Sequence, residues 1–446
     1  MKKISRFFVL LVKKFLPDPF IFAVILTFIV FLMGIFIAGN TPGQMIIHWG
    51  GGFWNLLGFA MQMSLVLITG HVLANSSFFK KVLVAIAKKP KGPAQAIALT
   101  TFISAIACWI NWGFGLVIGA LLAKEMARQV EDVDYPLLIA SAYSGFIVWH
   151  AGLSGSVPLT VATAGNFSEE MIGGLIPISE TIFSPLNMVL SLVVIVTIPL
   201  VNKFMLPDKS NRKIVDPHLL DAGEGVENST FEAASSEDST VYFADKIENS
   251  SIISWIIGLM GLCYIIYYFI DGGSLNLNIV IFIFLILGLI LHRTPRRYLD
   301  AFNEAVKGAG GIILQFPLYA GIMGMMVSSG LATIISQWFV SFSTDVTFPF
   351  FSFLSAGLVN FFVPSGGGQW AVQAPVMVPA GIELGVPAYK TAMAVAWGDA
   401  WTNMIQPFWA LPALGIAGLG ARDIMGYCIM ILIWVGIIAS LAFMVF

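Results

Sequence analysis

The sequence predicts an all-α polytopic membrane protein made of two inverted-topology repeats, each carrying a re-entrant hairpin and a broken transmembrane helix. Three observations predict it. Of 446 residues, 58% are hydrophobic and 11% charged, with a mean hydropathy of +0.87, against roughly 25% charged in an average soluble domain. Apolar runs near the ~20 residues that a helix needs to cross a bilayer recur from end to end. They are continuous, unlike the alternating strands of about ten residues in a membrane β-barrel. Removing one hydrophilic segment leaves two apolar halves, 1–206 and 250–446, which align at an offset of 253 residues. That offset places Gly58 on Gly311, Gln62 on Gln315, Gly113 on Gly366, Gly115 on Gly368 and Gly145 on Gly398, as expected of an internal repeat.

Positive charge orients the elements, because Lys and Arg accumulate in cytoplasmic loops. Five basic residues within Met1–Lys14 precede the apolar stretch Phe20–Ala38. At about 19 residues this stretch exceeds the 7–15 of a signal-peptide core, so it reads as a retained first helix leaving a cytoplasmic N-terminus. Phe53–Asn75 returns to Lys80, Lys81, Lys88, Lys89 and Lys91. The block Ala94–Ala123 ends on Lys124 and Arg128, so both of its ends lie inside. Arms of about 15 residues are too short to span, which makes 94–123 a hairpin broken at Asn111-Trp112-Gly113-Phe114-Gly115. Segment 136–163 leaves and 184–204 returns.

Residues 207–249, rich in Asp, Glu, Ser and Gly, form a cytoplasmic acidic loop of disordered composition. Segment 251–270 leaves, 277–292 returns to Arg293, Arg296 and Arg297, and 311–330 exits. Block 348–385 has no Lys or Arg at either end and breaks at Pro364-Ser365-Gly366-Gly367-Gly368, so it is the second hairpin, entered from outside. Segment 391–417 returns to Arg422, and 425–446 leaves the C-terminus on the periplasmic side. Every Lys and Arg but Lys390 then lies inside. Three amphipathic stretches, from Phe78, Arg296 and Leu331, read as interfacial helices.

In hydrocarbon, an unpaired backbone amide or carbonyl costs several kcal/mol, so irregular backbone survives only where protein or a water-filled cavity satisfies it. Four breaks are therefore informative: the two hairpin tips, Ser154-Gly155-Ser156-Val157-Pro158, and Asn403–Pro407. Helix ends exposed there hold an anion by their amides and a cation by their carbonyls. The candidate substrate-binding residues are Asn111, Trp112, Gly113, Gly115, Ser154, Ser156, Ser365, Gly366, Gly367, Gly368, Asn403 and Gln406, with Thr160 beside them. The side chains of Asn111, Ser154, Ser156, Thr160, Ser365, Asn403 and Gln406 bond an oxygen anion without a fixed charge. No Lys or Arg falls at membrane depth, where a dicarboxylate would call for an arginine fork, and this favours a small monoanion.

Trp109, Trp112, Phe114, Trp370, Phe408 and Trp409 are candidates to wall an apolar tail. Asp399, one turn before Asn403 on an apolar helix, is the ion-coupling candidate, as proton carrier or cation ligand. His71 and His150 are weaker ones, His150 being placed near the outer surface. Gln62 and Gln315 read as helix-to-helix hydrogen bonders.

Several classes are excluded. A net charge of −2 gives no basic surface for nucleic acid. Cys108, Cys263 and Cys428 stand far apart without CxxC or Cys/His spacing, so neither a disulfide framework nor a metal site is indicated. HExxH, GxSxG and GxxxxGK[ST] are absent, which argues against an intramembrane enzyme or an ATP-driven pump. No cofactor is expected.

LPDPFIFA at Leu16, WGGGFWNLLGFAMQM at Trp49, INWGFGLVIGA at Ile110, NFFVPSGGGQW at Asn360 and QPFWALPALGIAGLGARDIMGYC at Gln406 resemble the bacterial short-chain fatty acid uptake carriers over nearly the whole chain. That family is similar to the wider ion-transporter superfamily of two-hairpin inverted-repeat carriers. The resemblance implies secondary active import of butyrate- or acetoacetate-like monocarboxylates across the bacterial inner membrane. It further implies an elevator-type alternating-access mechanism, a homodimer among membrane lipids, and the four breaks surrounding the carboxylate substrate. Importing a monoanion against an interior-negative potential costs about 2.3 kcal/mol per 100 mV, so symport with H+ or Na+ is expected. A C4-dicarboxylate or organic-anion exchanger is the alternative. His150 departs from the family pattern, which leads one to expect a small residue there, and carries no functional weight at this stage.

Overall fold

A computed structural model describes residues 19–215, 243–360, 363 and 365–445. Every regular element among them is helical. The expectations for Met1–Lys14, for most of the acidic loop and for Pro364 lie outside the described residues. The loop's described flanks are a short turn at Lys209–Asn211 and a helical turn at Phe243–Glu248.

In the first half, α1 (Pro19–Phe36), α2 (Pro42–Gly52), α3 (Leu57–Ala74) and α4 (Ser77–Ala87) lead to α5 (Pro93–Ile110) and α6 (Trp112–Gln129). Then follow α7 (Tyr135–Ser144), a 3-10 stretch Gly145–Ala151, α8 (Ser156–Val161), α9 (Glu169–Ile172) and α10 (Pro185–Phe204). After α11 (Phe243–Glu248) come α12 (Ser251–Ile270), α13 (Leu277–His292), α14 (Pro295–Val306), α15 (Gly310–Ser328) and α16 (Leu331–Phe342). The chain ends with α17 (Phe348–Val359), α18 (Gly366–Glu383), α19 (Ala388–Thr402), a 3-10 turn Asn403–Ile405, α20 (Pro407–Ala417) and α21 (Ala421–Val445). Helix starts recur 253 residues apart: Pro42 and Pro295, Leu57 and Gly310, Tyr135 and Ala388.

Local sequence explains the boundaries. Proline opens α2, α5, α10 and α14 at first-turn positions whose amides have no intrahelical acceptor. Thr41 and Gln44 close a reciprocal capping box on α2. Asp134 caps α7 by accepting from the Leu137 amide at 2.9 Å, and its other oxygen accepts from the Lys213 amide at 2.9 Å.

Seven apolar stretches among the described residues are long enough to cross a membrane, consistent with a multi-pass chain. Their burial differs in a way that locates the core. Of the most apolar 18 residues in Tyr135–Val161, 94% are buried, against 17% in Ser251–Ile270. The broken helix is thus the centre and α12 is peripheral, its Ile252, Leu259, Ile266 and Ile270 turned outward. Buried Asn202 ties α10 to the centre by donating to Thr101 Oγ1 (2.9 Å) and Ser144 Oγ (2.7 Å).

The first hairpin is tighter than its sequence suggests. One residue, Asn111, separates α5 from α6, and each arm is 18 residues rather than about 15, or about 27 Å at 1.5 Å per residue. The arms run antiparallel: Gly115 lies against Cys108, and Gly119 against Ser104. In the second hairpin Gln369 Nε2 donates to the Ala356 carbonyl at 2.8 Å and Gln373 Nε2 to Ser355 Oγ at 3.3 Å, lacing α18 to α17. The first broken helix also loosens earlier than expected. It turns 3-10 from Gly145, and Gly152–Gly155 form the connection to α8. Gly145 is pressed against the Ser104–Ala105 backbone, so the loosening answers a contact with another helix, which local residue types do not announce.

Candidate functional site

The tips and breaks meet in pairs. Asn111 is extended (φ −154°, ψ 124°) and its Oδ1 accepts from the Phe114 amide at 2.9 Å, capping α6. The next amide, of Trp112, donates to Ser154 Oγ at 2.9 Å, and the Leu153 amide to the Trp109 carbonyl at 2.7 Å. The first tip is thereby tied to the first break. Ser365 repeats the cap (φ −154°, ψ 110°), accepting from the Gly368 amide at 3.5 Å on α18.

The second break is held by Asn360, one residue past α17. Its Nδ2 donates to the Asp399 carbonyl (2.8 Å), Thr402 Oγ1 (2.9 Å) and Asn403 Oδ1 (3.1 Å), while its carbonyl accepts from Gln406 Nε2. A buried amide with two N–H donors set among three acceptors fixes the break in one arrangement.

The two halves join at His150 and Asp399. His150 Nδ1 lies 3.2 Å from Asp399 Oδ2, both side chains being buried, in a geometry poor for a hydrogen bond. His150 Nε2 accepts from the Val157 amide at 3.1 Å, so in neutral imidazole the ring proton sits on Nδ1 and faces the carboxylate. Asn403 Nδ2 donates to the same Asp399 oxygen at 3.3 Å. Gly366 abuts the His150 ring and Trp149, which brings the second hairpin tip onto the first broken helix. Tyr143 Oη donates to the Asn403 carbonyl at 2.6 Å and Trp397 Nε1 to Asn187 Oδ1 at 2.9 Å, closing the seam.

Buried polar atoms without a partner occur throughout the described residues, and those around the seam differ in kind between the halves. Asn111 Nδ2, Trp112 Nε1 and Trp149 Nε1 are donors without an acceptor among the described residues, all in the first half. Asn360 Oδ1, Gln369 Oε1, Asp399 Oδ1 and Gln406 Oε1 are oxygens without a donor there, all in the second. Leaving a buried polar group unpaired costs about 1–3 kcal/mol each, so the groups of Asn111, Trp112, Trp149, Asn360, Asp399 and Gln406 around one seam make it the candidate site. An aromatic cluster adjoins the donors. The Trp112 ring centroid is 5.8 Å from that of Trp149 and 5.3 Å from that of Trp409, and Trp149 stacks on His150 at 4.0 Å.

The pattern that defines the short chain fatty acid transporter family matches residues 1–446. The chain belongs to that family. It is 46% identical over 437 residues to a protein of Escherichia coli K12 provisionally named a short-chain fatty acid transporter, covering 98% of each chain. It is 45% identical over 441 residues to one of the same provisional name from Haemophilus influenzae, covering 97% of each. Among solved structures, the Alcanivorax borkumensis YdaH transporter, described as having an unusual topology, superposes with a TM-score of 0.62 over 96% of this chain and 97% of that one. At 15% identity that likeness concerns the fold alone. The chain is a multi-pass membrane transporter, not an enzyme.

Within this family member the candidate residues do not all converge. Asn111, Trp112, Ser154, Gly366, Asp399, Asn403 and Gln406 meet at the seam. Ser156 Oγ turns instead to Met63 Sδ at 3.3 Å, and Thr160 Oγ1 to the Ser156 carbonyl. Gly113 lies on the Leu67 backbone, Gly115 on Cys108, Gly367 on Phe59 and Gly368 on Tyr319. Trp370 Nε1 donates to Ser168 Oγ at 3.0 Å, and Phe114 packs on Phe79 and Phe284. The Phe408 side chain lies outside the described residues. Gln62 Nε2 reaches Asn278 Oδ1 at 2.8 Å, and Gln315 accepts from the Tyr319 hydroxyl at 2.9 Å.

The sequence reading placed His150 near the outer surface and gave it no partner; its side chain is fully buried in the fold, against Asp399 from the other half of the chain. Asn360, Tyr143 and Trp149 were also missed. Asn360 had a signal, being a lone amide at the end of an apolar arm.

The glycines separate by what a side chain would strike. At Gly113 a Cβ meets the Leu67 carbonyl at 2.9 Å and Leu67 Cα at 3.1 Å, both backbone; at Gly366 it meets the buried rings of His150 and Trp149. Gly113→Val is therefore expected to lower the amount of folded, membrane-inserted protein. Gly366→Ala, which presses on side chains of the seam rather than on backbone, is expected to cost less folded protein than Gly113→Val and to reduce uptake. Detergent-solubilised yield on a sizing column, beside uptake, checks both; equal loss of protein in the two variants contradicts the distinction.

Proposed function

We propose that this transporter imports short-chain monocarboxylates together with a monovalent cation, the anion lying toward the first half and the cation toward the second. The division of unsatisfied donors and acceptors across the His150–Asp399 seam carries this reading. Asn111 Nδ2, Trp112 Nε1 and Trp149 Nε1 supply donors for a carboxylate beside the N-terminus of α6, where the helix dipole favours negative charge. The Trp112–Trp149–Trp409 cluster walls a short apolar tail. The absence of a described Lys or Arg from the seam favours a monoanion over a C4-dicarboxylate.

Two cations are weighed on separate observations. Three donor-free oxygens, of Asn360, Asp399 and Gln406, beside the C-terminus of α19 favour Na+, since a metal ion takes several oxygen ligands and a proton one. The buried acid-base pair favours H+, received on Asp399 Oδ1. Recurrence of helix starts at one offset supports the inverted-repeat reading. On that reading the hairpins and broken helices move together as an elevator, in a homodimer in the bacterial inner membrane. Counterflow of labelled butyrate in proteoliposomes tests the function. Preloading with unlabelled butyrate or acetoacetate is expected to drive transient entry of label that succinate preloading does not; entry indifferent to preloading contradicts a carrier.

A further inference from the structure

Where α12 begins and α13 ends, on the lipid-facing side of the first amphipathic helix α4, lies a cavity of about 490 Å3. We propose that it is a binding site for the headgroup of an anionic phospholipid. Its position carries the first step. α12 and α13 are joined by a short turn at their far ends and pack through Gly258 on Ile290 and Gly261 on Ile286. The opposite ends, where the cavity lies, therefore come to one membrane surface, and α4 lies there with them.

Charge carries the second step. Lys81 of α4 and Arg293 after α13 both line the cavity, and neither has a carboxylate within ion-pair distance among the described residues. Ser77 and Ser251 add hydroxyls to the same wall. The residues preceding them, Ser76 and Ser250, make no side-chain cap on either helix. An ammonium, a guanidinium and two hydroxyls converging from three helices match a phosphodiester monoanion. A zwitterionic headgroup would bring a third cation into the same space.

Backbone geometry singles out Arg293. It has φ +68° and ψ −39°, and the Thr294 amide donates to the His292 carbonyl at 2.8 Å. That is a classic γ-turn, rare and strained for a residue with a side chain. Glycine would adopt it freely, yet this chain places its most extended cation there. The remaining lining explains why the ligand is a lipid rather than a free anion. Phe78 and Trp255 are about half exposed (53% and 54%) and stand with Ile290 and Leu291 along the cavity wall. They form an apolar path for an acyl chain, with Trp at the depth where interfacial tryptophans gather.

Native mass spectrometry of the full-length protein, offered phosphatidylglycerol or phosphatidylcholine in detergent, tests the site. The wild type is expected to retain phosphatidylglycerol about tenfold better. K81Q/R293Q is expected to retain both lipids alike, and so is R293G. Because glycine relieves the γ-turn, R293G folds at least as well as the wild type, and its loss of lipid reports the lost cation. Equal retention of the two lipids by the wild type, or undiminished phosphatidylglycerol on R293G, overturns the proposal. Complete displacement by excess inorganic phosphate overturns the lipid assignment in favour of a free-anion site.

Discussion

Asp399→Asn is expected to abolish concentrative uptake of butyrate while counterflow persists. The variant keeps size, the acceptor for Asn403 Nδ2 and the backbone carbonyl that Asn360 binds, so the second break retains its shape. What it loses is the charge that the proposed symport assigns to neutralisation by a proton or Na+, in a position where a carboxylate is costly unless paired. Without a coupled cation the imported monoanion works against the membrane potential alone. At 100 mV the limiting inside-to-outside ratio then falls by about fiftyfold relative to electroneutral symport. Uptake of labelled butyrate under an imposed cation gradient measures this. Undiminished accumulation by the variant would make Asp399 structural.

His150→Ala is expected to destabilise the protein by about 1–3 kcal/mol, the usual cost of leaving a buried polar group without its partner. The Val157 amide loses its acceptor, and the imidazole 3.2 Å from Asp399 Oδ2 is removed. The double variant H150A/D399N should recover part of that loss, because a neutral amide no longer needs the partner; residues in direct contact commonly couple by 0.5–3 kcal/mol. Thermal unfolding in detergent of the four members of this cycle checks it. Strict additivity would mean that the two side chains contact each other without interacting.

How much of this is legible in the sequence depends on range. The helices follow from apolar run length, and the caps at Asn111 and Ser365 from residue type at Gly- and Trp-rich breaks. Asp399 stands out because it is a carboxylate on an apolar helix, and its functional candidacy needs no partner. His150 is opaque for the opposite reason. Its meaning lies in a residue of the other half, and no local pattern near Trp149 announces burial. The arm lengths of the first hairpin escape because a reversal through Asn111 alone needs no loop for composition to reveal. Likewise, Gly113 and Gly366 align at the repeat offset, yet one meets backbone and the other meets rings. Which of these a glycine does is decided by a neighbouring helix, not by its own segment.

The central claim is that a carboxylate and a cation cross together at the His150–Asp399 seam. The most direct measurement is butyrate accumulation in proteoliposomes under an inward Na+ gradient and, separately, an inward H+ gradient, with the potential clamped and the passive entry into protein-free liposomes subtracted. One of the two gradients is expected to concentrate butyrate above its external level, and dissipating that gradient to release it. Counterflow that proceeds normally while neither gradient produces accumulation would contradict the claim.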